Sequence, residues 1–211
     1  MKNLLFYTFH RQCEELLYSS LFFNKSEFLK NNFNVILHCN NVKMPYEIIK
    51  NVAKFETNVE IIITSKNTGY NYGGIEATSD SFELFYEYEN VIQLHPDCYI
   101  TDSEKLKNMM LNTKYDVAVA KTNHIGRPSY TTDFFCFKPK YNFLKSCHKH
   151  WQRYPTAVPE HYFYDCLKES NLNVYEFDRY PNGDGAGYRH IDEFDLWHVH
   201  DNNKVKAYLN V

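Results

Sequence analysis

The chain has 211 residues, 44% of them hydrophobic and 23% charged, with a formal net charge of -3. That supply of apolar side chains fills one sizeable core, so a single α/β domain spanning residues 1–211 is the economical reading. The slight negative charge and the lack of any basic run exclude the electrostatic footprint of a nucleic-acid binder, and no apolar stretch approaches the ~20 residues of a membrane-spanning helix. The amino-terminal apolar run is too short for a signal peptide, which gives the cytoplasm as the expected location. Cys13, Cys39, Cys98, Cys136, Cys147 and Cys166 form no C-x-x-C pair and mostly lie in apolar runs, where a reduced thiol acts as a small hydrophobe.

Strand and helix signals alternate from the start, the pattern of βαβ units on a central, mostly parallel but mixed sheet flanked by helices. Asn3 to Phe9 reads as a first strand, Glu14 to Lys30 as a helix with Leu17, Leu21 and Phe28 on one side, and Asn34 to His38 as a second strand. Pro45 opens a short helix through Lys54, and the β-branched run Val59 to Thr64 makes a third strand. A helix after Gly74 uses Ile75, Ser79, Phe82 and Tyr86 as its inner stripe and leads to a strand, Val91 to Leu94, that ends at His95. Beyond Asp102 the spacing predicts a helix over Ser103 to Leu111, strands at Val117 to Ala120 and Phe134 to Phe137, a helix opened by Pro159 and Glu160, and a strand at Val174 to Phe177. The tail is glycine-rich from Pro181 to Gly187, then rich in His and Asp; its first half is expected as a loop, and Trp197 to Asp201 as a strand or a loop.

Lys66 to Asp102 is the most informative stretch. Gly69, Gly73 and Gly74 let backbone approach a ligand closely, the following helix offers unpaired N–H groups to an anion, and the next strand releases His95-Pro96-Asp97 at its carboxyl end, where open α/β sheets bind ligands. With the order of elements, this stretch resembles the nucleotide-sugar glycosyltransferases of the GT-A, Rossmann-like fold. Asn67-Thr68-Gly69-Tyr70-Asn71-Tyr72-Gly73-Gly74 is similar to the Asn-x-Gly-x-Asp-x-Gly segment of rhamnan-type and related family 2-like transferases, and His95-Pro96-Asp97 to the metal-binding Asp-x-Asp. Asn71 and His95 stand where that family usually has Asp, which leaves Asp97 as the ligand carried over. Length and pattern also resemble a glycosyltransferase domain encoded by large chlorella viruses, which would make the location host cytoplasm.

The resemblance implies a donor half over residues 1–102 and an acceptor half over 103–211, in a chain that can be one domain of a longer protein. It implies a nucleoside diphosphate sugar donor, UDP-linked first, a glycan acceptor, and Mn²⁺ or Mg²⁺ to neutralise the departing diphosphate. Donor contacts are implied at Thr8, Phe9, His10 and Arg11 after the first strand, at Lys66 and Asn67 after the third, and at Gly69, Asn71, Gly73, Gly74 and His95. Asp97 is joined as metal ligand by His198 or His200, which either complete the site or are surface histidines. The cysteines are in the wrong places for a closed structural zinc site.

For the base that deprotonates the acceptor hydroxyl, Glu160, Asp133 and Asp165 are the candidates, and an enzyme of the retaining type needs none of them. The residues 181–187 read as a lid or as a plain connector, and Tyr130, Trp151, Tyr154, Tyr162 and Tyr188 as rings that stack on a sugar or pack in the core. Two alternatives compete with a transferase: a sugar nucleotidyltransferase, which would carry a glycine- and lysine-rich loop after the first strand, and a noncatalytic carbohydrate- or nucleotide-binding module.

Overall fold

The computed structural model describes residues 2–41, 43–64, 73–101, 103–111, 114–124, 126–147, 158–178, 188–191 and 196–211. Its first half runs β1 (Asn3–Phe9), α1 (Cys13–Asn24), α2 (Glu27–Asn32), β2 (Phe33–Cys39), α3 (Tyr46–Val52), β3 (Val59–Ile63), α4 (Gly73–Asp80), a 3₁₀ turn (Phe82–Glu87), β4 (Val91–Leu94) and β5 (Cys98–Ile100). The second half runs α5 (Glu104–Leu111), β6 (Val117–His124), β7 (Arg127–Phe137), α6 (Pro159–Glu169), β8 (Val174–Asp178), β9 (Tyr188–Ile191), β10 (Leu196–Val199) and α7 (Asn202–Leu209).

A seven-stranded sheet in the order β3-β2-β1-β4-β7-β6-β8 forms the centre. β1 lies between β2 and β4, parallel to both, and its seven residues are all buried, as expected of a strand covered on two faces. β7 runs antiparallel to both β4 and β6. One face packs Leu5, Tyr7, Leu37, Leu94 and Phe134 against Leu16, Leu29 and Ile49 of α1 to α3. The other packs Phe6, Ile36, Phe135 and Phe137 against Ile75, Phe82 and α6 residues Phe163 and Leu167. The expected mixed α/β architecture is therefore the observed one.

A second sheet, β5-β10-β9, branches from the first where β4 ends. It is anchored by a separate apolar cluster in which Tyr18 and Phe22 of α1 meet Tyr99, Val199, Val205 and Leu209. Each such side chain contributes roughly 1.5–3 kcal/mol on burial, enough to fix β10 against β5 and so to fix what β10 carries.

Several local expectations are corrected. The helix from Glu14 to Lys30 is two helices, because the Ser26 side chain accepts the Leu29 N–H at 3.2 Å and caps a new start. α4 stops at Asp80 and a 3₁₀ turn follows, so Phe82 and Phe85 point inward while Tyr86 is 47% exposed. β7 begins seven residues earlier than expected, at Arg127, because Gly126 at φ +71 closes a β6–β7 hairpin. β5, β9 and α7 were not expected, and β10 was open between strand and loop; β5, β9 and β10 are strands of only three or four residues, too short to show a pattern. Tyr130 and Tyr162 are core rings, not stacking platforms. The lid segment 181–187, Trp151 and Tyr154 lie outside the described residues, as does the Tyr188 side chain. All six cysteines are free, and burial pushes the Cys136 thiol up to about 12. Among the described residues no helix is long and apolar enough to cross a membrane.

Candidate metal and donor site

The site lies at the branch between the two sheets. After Leu94 the chain turns through His95-Pro96-Asp97, a turn closed by the Cys98 N–H on the His95 carbonyl at 3.0 Å. Pro96 offers no N–H to continue the ladder, and its carbonyl accepts the Ser19 hydroxyl at 2.7 Å, which pins the turn to α1. The Val199 N–H donates to the Asp97 carbonyl at 3.0 Å and His198 pairs with Cys98, so the tail is laid directly over the turn.

This brings together five side chains from three places in the sequence. His200 Nδ1 is 3.0 Å and His198 Nε2 3.5 Å from Asp97 Oδ2. His198 Nδ1 is 3.6 Å from Asp133 Oδ2, and His95 Nδ1 is 3.4 Å from Asp133 Oδ1. The contacts form one chain, His200–Asp97–His198–Asp133–His95, with most links longer than a formed hydrogen bond, as is common in sites that tighten around a ligand. His95 reaches this position because β4 and β7 stay paired to its end: the His95 N–H donates to the Asp133 carbonyl at 2.9 Å.

The electrostatics favour a cation. Asp97 is 7% exposed, and its Oδ1 is buried with no hydrogen-bond partner among the described residues. Burial works against its charge, yet the His198 and His200 imidazoles outweigh burial and hold the carboxyl well below the usual carboxylate range. A buried carboxylate with an unused oxygen beside imidazole nitrogens is a donor set that a divalent ion satisfies, and the N/O mixture suits Mn²⁺ better than Mg²⁺. Cys98 adds a donor that the sequence reading discounted: its sulfur, an Asp97 oxygen and a His198 nitrogen all lie within 4.8 Å of one another. That thiol also contacts the Asp133 carbonyl at 3.6 Å and belongs to the apolar core.

Of the residues expected to contact a donor, Thr8, Gly74 and His95 meet at the same edge. A Cβ on Gly74 would stand 3.1 Å from His95 Nε2 and 3.3 Å from Thr8 Oγ1, so the start of α4 packs onto both because residue 74 has no side chain. Thr8 Oγ1 accepts the Gln93 side-chain N–H at 3.0 Å. The Phe9 ring is in the core, His10 Nδ1 lies 2.8 Å from the Asn40 carbonyl, and Arg11 is exposed. Gly73 begins α4, whereas Lys66, Asn67, Gly69 and Asn71 lie outside the described residues. Glu160 stands half-buried in the first turn of α6, and Arg127 Nη2 donates to both oxygens of Asp165 at 2.7 and 2.6 Å.

Sequence reasoning missed the polar layer beside this edge. Gln93 and His38 are buried, and Gln93 Oε1 and His38 Nδ1 have no hydrogen-bond partner among the described residues. The available signal was a polar residue inside an apolar strand, Gln93 in Val-Ile-Gln-Leu and His38 in Val-Ile-Leu-His-Cys.

No protein-family model and no curated protein sequence matches the chain. Solved structures do. The chain superposes on the glycosyltransferase GlyE of Streptococcus pneumoniae TIGR4 with a TM-score of 0.59 at 9% identity, over 86% of this chain and 46% of that one. It superposes on the mannosyltransferase PcManGT of Pyrobaculum calidifontis, solved with GDP-Man and Mn²⁺, with a TM-score of 0.54 at 8% identity, over 84% and 55%. An active-site mutant of LgtC matches with a TM-score of 0.58 at 11% identity, over 94% and 87%. The chain thus spans about half the length of the first two and most of the third. At these identities the likeness establishes the GT-A-type fold. The chlorella-virus resemblance finds no support among these structures.

Proposed function

We propose that the protein is a metal-dependent glycosyltransferase that moves a sugar from a nucleoside diphosphate sugar, with UDP-sugars the first to screen, to a carbohydrate acceptor. The observation that carries this reading is the buried, unsaturated Asp97 carboxylate joined to His198 and His200 at the carboxyl end of β4. It is supported by the fold shared with structures whose names are those of glycosyltransferases, one of them solved with GDP-Man and Mn²⁺.

In this reading Asp97, His198 and His200 would hold the cation. A divalent ion there supplies positive charge against the diphosphate as the glycosidic bond breaks. The amino terminus of α4, packed on Thr8 and His95, presents N–H groups to the same anion, and Arg11 on the exposed loop after β1 is free of the core to reach diphosphate oxygens. Lys66, Asn67, Gly69 and Asn71 complete the donor side by the family resemblance. Glu160 is proposed as the acceptor base, since Arg127 occupies Asp165 and two imidazoles flank Asp133. Cys98 stays with the core, so that the ligand set is nitrogen and oxygen.

The test is release of nucleoside diphosphate from UDP- and GDP-sugars with and without Mn²⁺. Mn²⁺-dependent release, increased by an oligosaccharide acceptor, supports a transferase. Binding without release across the panel points to a noncatalytic module, and release of pyrophosphate from nucleoside triphosphate plus sugar phosphate points to a nucleotidyltransferase.

A further inference from the structure

Resting on the metal reading above, we propose that Asp133 is a positioning residue: it fixes the tautomer and orientation of His198 so that Nε2, not Nδ1, is presented to the cation beside Asp97. A neutral imidazole keeps one N–H, and a metal-bound histidine donates that second nitrogen to a carboxylate, carbonyl or water. His198 is 5% exposed, so water is a poor partner for it. Its two nitrogens face two carboxylates, Nε2 toward Asp97 Oδ2 at 3.5 Å and Nδ1 toward Asp133 Oδ2 at 3.6 Å. Only the Asp97 side carries a buried carboxylate oxygen with no partner among the described residues. The cation therefore belongs with Nε2, and the proton on Nδ1 points at Asp133.

Asp133 is itself held on several sides, as a residue that positions another must be. The Thr131 hydroxyl donates to Asp133 Oδ2 at 3.1 Å, the Asp133 N–H donates to Thr131 Oγ1 at 3.3 Å, and the Asp133 carbonyl takes the His95 N–H at 2.9 Å. Its other oxygen faces His95 Nδ1 at 3.4 Å, and the opposite nitrogen of that ring abuts the start of α4. Asp133 thus links the metal side of the site to the donor side through two imidazoles. An acceptor base would instead need an oxygen turned toward the incoming hydroxyl.

Calorimetric titration of Mn²⁺ alone into the wild-type chain and into Asp133→Asn tests this without turnover. Outer-shell partners of metal-bound histidines are worth about 10- to 100-fold in affinity, and a loss of that size is expected, together with a change in the His198 imidazole ¹⁵N shifts of the metal-free protein as its tautomer is released. Wild-type Mn²⁺ affinity in Asp133→Asn overturns the assignment and leaves the metal reading standing. No Mn²⁺ binding by the wild-type chain overturns both. Should Asp133→Asn fail to fold, Thr131→Val decides: a smaller loss in the same direction supports the assignment, and unchanged affinity overturns it.

Discussion

Two carboxylates in this molecule, half-buried Glu176 and buried Asp97, are finished differently. Glu176 on β8 accepts the Tyr130 hydroxyl and pairs with Lys168 at 2.6 Å and Lys121 at 2.7 Å. Against the effect of burial, those partners bring its carboxyl down to about 2. Asp97 is more deeply buried, has no lysine or arginine among its ion pairs at the turn, and keeps one oxygen without a partner among the described residues. Two compact ammonium groups at short range close the first cluster, so it contributes to folding. Three imidazoles and a second carboxylate leave the other open, so its unsatisfied oxygen is worth keeping only if a ligand uses it.

The sharpest way to break this contrast is Asp97→Ala. Mn²⁺-dependent donor binding is expected to fall by on the order of 100-fold or more, since even outer-shell partners are worth 10- to 100-fold. Thermal stability at neutral pH should fall only modestly, because the imidazole pairs that hold the Asp97 carboxyl low are lost while one of its oxygens had no partner among the described residues to lose. A large drop in melting temperature with unchanged Mn²⁺ affinity would put Asp97 in the same class as Glu176.

Glu160→Gln separates chemistry from binding. Glycosyl transfer should fall by about 10²- to 10⁴-fold while donor and Mn²⁺ affinities stay level. If transfer survives, α6 supplies only a helix cap, and analysis of the product anomer by NMR would show whether the reaction retains configuration and needs no base.

Gly74→Ala probes the join between the donor segment and the histidine chain. Within a helix this change favours folding by roughly 0.5–1 kcal/mol, but the new methyl would press on His95 Nε2 and Thr8 Oγ1 at 3.1 and 3.3 Å. The expected result is donor affinity lowered by about tenfold, a cost of roughly 1.4 kcal/mol, with little change in melting temperature. Equal donor binding would show that His95 does not communicate with the donor side.

Glu176→Gln is the smallest and the opposite case. A folded-state carboxyl held at about 2 against an ordinary 4.5 contributes stability that is complete above the ordinary value and is lost as pH falls from about 4.5 through about 2. The variant should lose about 1 kcal/mol at neutral pH, as for a networked ion pair near the surface, flatten the acid limb of the stability curve, and leave Mn²⁺ binding untouched.

The first half of the chain, residues 1–102, was largely legible in the sequence because its elements are regular. β1, β2, β3 and β4 are short apolar runs, and the glycines before α4 and the His-Pro-Asp after β4 mark the edge where ligands bind. The second half was legible only in part. Nothing local marks β10 as the partner of β5, since that pairing spans roughly a hundred residues of chain and is fixed by Tyr99, Val199 and Leu209 packing on α1. His198 and His200 were candidate ligands through the family resemblance, but their meeting with Asp97 depends on that long-range docking. Asp133 was named in the sequence as a candidate acceptor base, while its place between two imidazoles follows from the early start of β7, which the short apolar run Phe134 to Phe137 conceals.

Asp97, His198 and His200 are proposed above to form a divalent-metal site. Paramagnetic Mn²⁺ titrated into the protein under imidazole-detected NMR tests it most directly. Resonances of His198 and His200 are expected to broaden first and at substoichiometric Mn²⁺, with His95 next, and Asp97→Ala to remove the selectivity. Broadening of all histidines together, or of His10 ahead of His198, would contradict it.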